Sequence, residues 1–233
     1  YDGLSFTGSG GGHWVTMNTI ISGGKSIHFG GSQYYNPYGL NFTYNTYAGL
    51  PTEALIDVEL SNSGQNSFSY NNFLNAKSGT YIIKNQTSNS VSAEFNYWGG
   101  RLNAEIDEFI YDFNDDFEIG IVDYSNTLTT PHADAPIAPP STVLKYIDGG
   151  IKLRWKPNSE SDVAGYKIHY GSYSGHSFAN TVDVGTGTAT SINGESYRIH
   201  DITGLISSLD SVVAVTAYDT EADGTDDQVD GNQ

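Results

Sequence analysis

The chain has 233 residues, a formal net charge of −17 and no cysteine, so disulfides and thiolate metal sites are excluded and any metal must be held by oxygen or histidine. Ten Lys and Arg against 27 Asp and Glu argue against a nucleic-acid partner, whose phosphates recruit cations. No apolar run approaches membrane-spanning length and no signal peptide is visible, so no membrane span is expected.

Only 16% of the residues are charged, while Gly (27) and Tyr (17) are abundant beside Asn, Ser and Thr. This is the palette of strands, tight turns and polar faces, and it predicts an all-β protein. The length suits two domains. A chain that starts at Tyr1 rather than Met is expected to be a processed mature chain, in keeping with secretion, or an excised fragment.

Residues 1–130 alternate Gly-rich segments with short runs such as Ser26–Phe29, Ala54–Leu60, Thr80–Ile83, Val91–Phe95 and Ile106–Phe113. Strands so spaced, without helical periodicity or evident internal repeat, predict a β-sandwich of jelly-roll type. The pair Gly24–Ser32 and Ala104–Asp112 resembles the opening and closing strands of concanavalin-type and laminin-G-like sandwiches. The triplets at Asn41 and Asn85 match glycosylation acceptors.

An aromatic constellation occupies the same region: Tyr34, Tyr35, Tyr38 and Tyr44, with Trp98 further on. Rings with a flat apolar face and a polar tip suit a carbohydrate or protein surface, and these five are the candidate ligand-binding residues. The competing expectation is that they fill the interior.

Glu105, Ile106, Asp107 and Glu108 invite comparison with jelly-roll β-glucanases, which set carboxylates on one face of a strand. Phe109 and Ile110 stand where the last carboxylate is needed, so no catalysis is expected. Asp57 and Glu59 also share a face, which reads as the solvated side of a strand. The six histidines show no close spacing that marks a metal site, and His28 reads as a packed or surface residue. There is no nucleophile elbow and no phosphate-cradling loop.

Four of the seven prolines fall between Pro131 and Pro140, which predicts an extended linker over residues 131–140. In residues 141–218, Ile151, Leu153 and Trp155 alternate with Lys152 and Arg154, as in a strand with one buried face. With Pro139-Pro140, Ser161–Tyr170, Ile202–Leu205 and Val213–Tyr218, this region resembles a fibronectin type III domain. The resemblance implies that Trp155 and Leu205 are core residues and that Tyr166 packs from the second sheet. Ser211 stands where the family has its corner tyrosine, and no run after Tyr218 suits a closing strand. An exposed edge at 212–218 is therefore expected, open to strand addition from another copy, with Leu4–Thr7 one possible donor.

The final segment sets Asp219, Glu221, Asp223, Asp227 and Asp230 around Gly224 at the spacing of a loop that wraps one hard cation in oxygen ligands. It resembles the repeating units of thrombospondin type 3 repeats, which implies Ca2+ as the cofactor, with Glu221 in place of an aspartate. Charge clusters here and at 105–118, which together hold 13 of the 27 acids.

These expectations describe a non-catalytic structural and adhesive protein of an extracellular, cell or virion surface. It would self-assemble as a filament, surface layer or appendage, with copies of itself, neighbouring surface proteins or glycans as partners. The alternative is a carbohydrate-binding accessory region of a secreted glycan-active enzyme.

Overall fold

Met17, Tyr44, Tyr70 and Phe95 hold φ at 55°, 57°, 60° and 58°, and each is followed by an asparagine. In the computed structural model these repeated left-handed corners mark successive turns of a coil. The structure describes residues 4–6, 10–12, 14–21, 27–30, 37–59, 66–147, 149–174, 177–203 and 212–219. It divides into two units, Tyr1–Pro136 and Ile137–Gln233.

The first turn of unit one carries β1 (Leu4–Phe6), β2 (Gly10–Gly11), β3 (Trp14–Thr16) and β4 (Thr19–Ile20); the second carries β5 (Ile27–Phe29), β6 (Pro37–Tyr38), β7 (Asn41–Thr43) and β8 (Thr46–Tyr47). The third carries β9 (Ala54–Val58), β10 (Asn66–Ser69) and β11 (Asn72–Phe73). β12 (Tyr81–Asn85) and β13 (Val91–Ser92) form the fourth, and β14 (Ile110–Tyr111) and β15 (Val122–Asp123) the fifth. Each strand pairs in parallel with its counterpart one turn away, giving sheets β1-β5-β9-β12-β14, β3-β7-β10-β13-β15 and β4-β8-β11, with β2 paired to β6. Unit one is a β-solenoid.

Parallel stacking in register sets like on like. Ile27, Ile56, Ile83 and Ile110 form one interior column, all buried. Phe42 meets Phe68 with ring centroids 5.3 Å apart, and Tyr47 stacks on Phe73 at 5.0 Å. At the corner, the Asn45 side-chain oxygen accepts the backbone and side-chain N–H groups of Asn18 (3.0 and 3.1 Å). Asn71 does the same for Asn45, and Asn96 for Asn71. Their amides donate to backbone carbonyls on either side of the corner, those of Val15 and Thr43, Phe42 and Ser69, Phe68 and Ala93. Burial of these three asparagines is thereby compensated, as buried polar groups require. Next to them, Tyr44, Tyr70 and Phe95 form a column with 5.4 Å between successive rings.

The β-sandwich expected for residues 1–130 is therefore replaced by a coil of parallel strands. A repeat that composition did not disclose is present, because only the corner pair recurs and its spacing drifts through 27, 26 and 25 residues. The expected closing strand Ala104–Asp112 is also corrected: Asn103–Asp107 forms helix α1, with β14 after it. The Glu105 carboxylate accepts the Leu102 N–H at 2.7 Å, which caps the helix and consumes one of its unpaired donors.

Unit two begins inside the proline-rich segment. That segment is anchored on both sides: His132 exchanges hydrogen bonds with Asn72 of unit one (2.7 and 3.1 Å), while Ile137 lies in the core of unit two. The strands of unit two are β16 (Thr142–Ile147), β17 (Gly150–Trp155), β18 (Val163–Ser174), β19 (Ser177–Asp183), β20 (Thr188–Ile192), β21 (Glu195–Thr203) and β22 (Val212–Asp219). They form two antiparallel sheets, β16-β17-β21-β20 and β19-β18-β22. Ile151, Leu153, Trp155 and Ile202 from the first share one core with Tyr166, Ile168, Val215 and Ala217 from the second. Trp155 and Tyr166 meet edge to face at 5.3 Å. The tyrosine hydroxyl accepts the Asn158 N–H, and burial raises its pKa.

Candidate functional sites

Two places in the described residues carry more chemistry than folding alone accounts for. The first is on the sheet β1-β5-β9-β12-β14. Because β5 and β9 pair in parallel, His28 stands opposite Asp57, and Glu59 follows at the end of β9 with its N–H bonded to the Phe29 carbonyl. The His28 Nε2 lies 3.1 Å from the Glu59 Oε2, and the metal-ligating atoms of His28, Asp57 and Glu59 all lie within 4.8 Å of one another. Asp57 is fully buried, and its Oδ1 accepts the Gln86 amide at 2.8 Å from the next turn. His28 Nδ1 faces the Ser5 hydroxyl at 3.5 Å.

Gly30 makes room for this arrangement, since a Cβ there would stand 2.6 Å from the imidazole. The reading of Asp57 as a solvated acid is corrected by its burial. What spacing along the chain could not disclose is that residues 29 positions apart are opposite neighbours in a solenoid.

The second place is the side of unit two lined by β16. Opposite residues of an antiparallel pair point to the same face, so Leu144 and Tyr146, paired with Leu153 and Ile151, face the core side. Their partners are buried, yet Leu144 is 46% and Tyr146 72% exposed. Val143, on the other face, is 56% exposed. Among the described residues β22 pairs only with β18, and β16 only with β17.

Of the residues named for calcium, Asp219 ends β22, whereas Glu221, Asp223, Asp227 and Asp230 lie outside the described residues. Tyr34 and Tyr35 also lie outside them, and Tyr38 lies in β6. Tyr44 belongs to the corner stack, where the His132 ring meets it edge-on at 5.1 Å. Trp98 is in the core, 1% exposed and 4.7 Å from Phe73, so its ring offers no open face. The possible donor Leu4–Phe6 is already paired to β5 as β1.

The acids compared with a glucanase motif are engaged differently. Glu105 caps α1, and Asp107 accepts the Tyr124 hydroxyl, whose pKa burial and this bond push up to about 12. Asn85 is fully buried and bonded to Asn89, Gly120 and Thr87, so in the folded chain it offers no amide for glycosylation. No helix among the described residues is long and apolar enough to cross a membrane.

Fold and sites together define an all-β protein of two units, a parallel β-solenoid and an antiparallel two-sheet unit. The chain matches no protein-family model, no curated protein and no solved structure.

Proposed function

We propose that this chain is a non-catalytic structural and adhesive protein of an extracellular, cell or virion surface, assembling through its second unit. The observation that carries the reading is the exposure of Leu144 and Tyr146 on the core side of an edge strand. Large apolar side chains in that position lose the favourable transfer of their surface from water, about 25 cal/mol per Å², unless another element covers them. Among the described residues the strand orders β16-β17-β21-β20 and β19-β18-β22 are in keeping with a fibronectin type III-like sandwich that has no strand beside β22, which supports the reading. A strand added beside β22 would complete the second sheet and lie over Leu144 and Tyr146. Main-chain hydrogen bonds would hold it and the apolar pair would select its side chains.

The strand comes, in this reading, from a neighbouring subunit, which makes the gap an assembly contact. In this reading the solenoid is a structural body carried by each subunit, and Ca2+ bound at 219–230 would stabilise the acidic segment. Light scattering of the full chain over a concentration series tests the reading: association that grows with concentration supports it. A monomer at every concentration, with Leu144 and Tyr146 unprotected from labelling, would remove it.

A further inference from the structure

The geometry points to a second cation site, distinct from the acidic C-terminal segment: His28, Asp57 and Glu59 form a three-ligand site for a divalent first-row transition ion such as zinc. Unlike the assembly reading, it concerns the solenoid and stands or falls separately.

The donor set decides the ion class. One imidazole nitrogen with two carboxylates suits zinc and its neighbours, whereas calcium takes six to eight oxygens. A tetrahedral zinc with bonds of about 2.0–2.1 Å sets its ligand atoms roughly 3.3 Å apart. The 3.1 Å between His28 Nε2 and Glu59 Oε2 is already at that spacing, and the ligating oxygen of Asp57 lies within 4.8 Å of both. Three protein ligands leave a fourth position for water or an incoming group.

The surroundings orient the ligands as metal sites require. Gln86 donates to Oδ1 of Asp57 at 2.8 Å, the kind of outer contact that orients a ligating carboxylate. Ser5 faces Nδ1 of His28, the ring nitrogen opposite to the one nearest Glu59. The backbone fixes the rest, since His28 and Asp57 are registered by the β5–β9 ladder and Glu59 by its bond to Phe29. A His28–Glu59 ion pair by itself would explain the 3.1 Å contact, but it needs neither the buried Asp57 beside it nor the space Gly30 leaves for the ring.

The test uses the full chain, stripped with chelator and titrated with zinc in excess calcium, so that oxygen-only sites are occupied. Binding is read by calorimetry, bound metal by elemental analysis, and coordination by the visible absorption of cobalt(II). One zinc per chain is expected, with a cobalt band. His28→Gln and Glu59→Gln should each weaken binding about tenfold or more and abolish the band. Far-UV circular dichroism checks the fold of each variant, and Glu59, the most exposed of the three, keeps the test valid if His28→Gln does not fold. Absence of zinc binding by the wild-type chain, or stoichiometry and affinity unchanged in folded Glu59→Gln, would overturn the proposal.

Discussion

Asn45 and Asn71 are 26 residues apart in sequence, yet the side-chain oxygen of Asn71 accepts both the backbone and the side-chain N–H of Asn45, at 2.9 and 3.1 Å. Asn71 in turn gives its amide hydrogens to Phe42, Ser69 and Asn96. Replacement by alanine would strand these partners in a buried corner, each at a cost of about 1 kcal/mol or more. Asn71→Ala is expected to destabilise unit one by about 2–4 kcal/mol. Asn18, exposed at the first corner, should cost less than about 1 kcal/mol on the same change. Urea unfolding midpoints of the two variants check the ranking; equal effects would show that the ladder is not cooperative with the core.

Leu144→Asp with Tyr146→Asp places charge on the uncovered side of β16. Both side chains are exposed in the described structure, so folding stability should change by only about 0.5 kcal/mol. Association should disappear. Sedimentation velocity beside a melting curve separates the two effects, and assembly that survives the double change would locate the contact elsewhere.

His169 bridges the second sheet, its ring nitrogens 3.0 Å from the hydroxyls of Thr181 and Thr216. Burial, with Lys167 adding to it, lowers the histidine pKa from 6.5. The folded state therefore holds fewer protons than the unfolded one, so this group's contribution to stability is complete above pH 6.5 and lost as pH falls through the lowered folded value. His169→Gln should flatten the melting temperature of unit two across that acidic window. An unchanged slope would show that another group controls it.

Glu160 points the other way. It is 6% exposed, accepts the Ala138 N–H at 3.2 Å, and has its pKa raised from 4.5 by burial. Stability from this group is complete below pH 4.5 and lost as pH rises through the raised folded value, because ionisation then places a charge in the interior. Glutamine keeps an acceptor for Ala138 without the charge. Glu160→Gln should raise the melting temperature at pH 7 by a few degrees, roughly what 1 kcal/mol gives in a domain this size, and leave it unchanged near pH 3. A lower melting temperature at pH 7 would mean that the carboxylate's hydrogen bonds outweigh its burial.

The sequence by itself determined the all-β class and most strands of unit two, because Ile151, Leu153 and Trp155 alternate with charged neighbours and one buried face leaves that trace in any antiparallel sheet. It also excluded thiolate chemistry, through the absence of cysteine. It left the solenoid hidden. Strands of two to five residues are too short to show a period, and in β9 every residue is buried, so no alternation survives. The repeated signal was the corner alone, a residue of positive φ followed by Asn18, Asn45, Asn71 or Asn96, and asparagine is too common here for four of them to stand out. Only the tertiary structure decided which residues meet. Parallel stacking turns a separation of one coil into contact, so it brought His28 to Asp57 and Glu59 and sent Trp98 to the core. In the same way the register of β16 on β17 decided that Leu144 and Tyr146 face the side where unit two lacks a covering strand among the described residues.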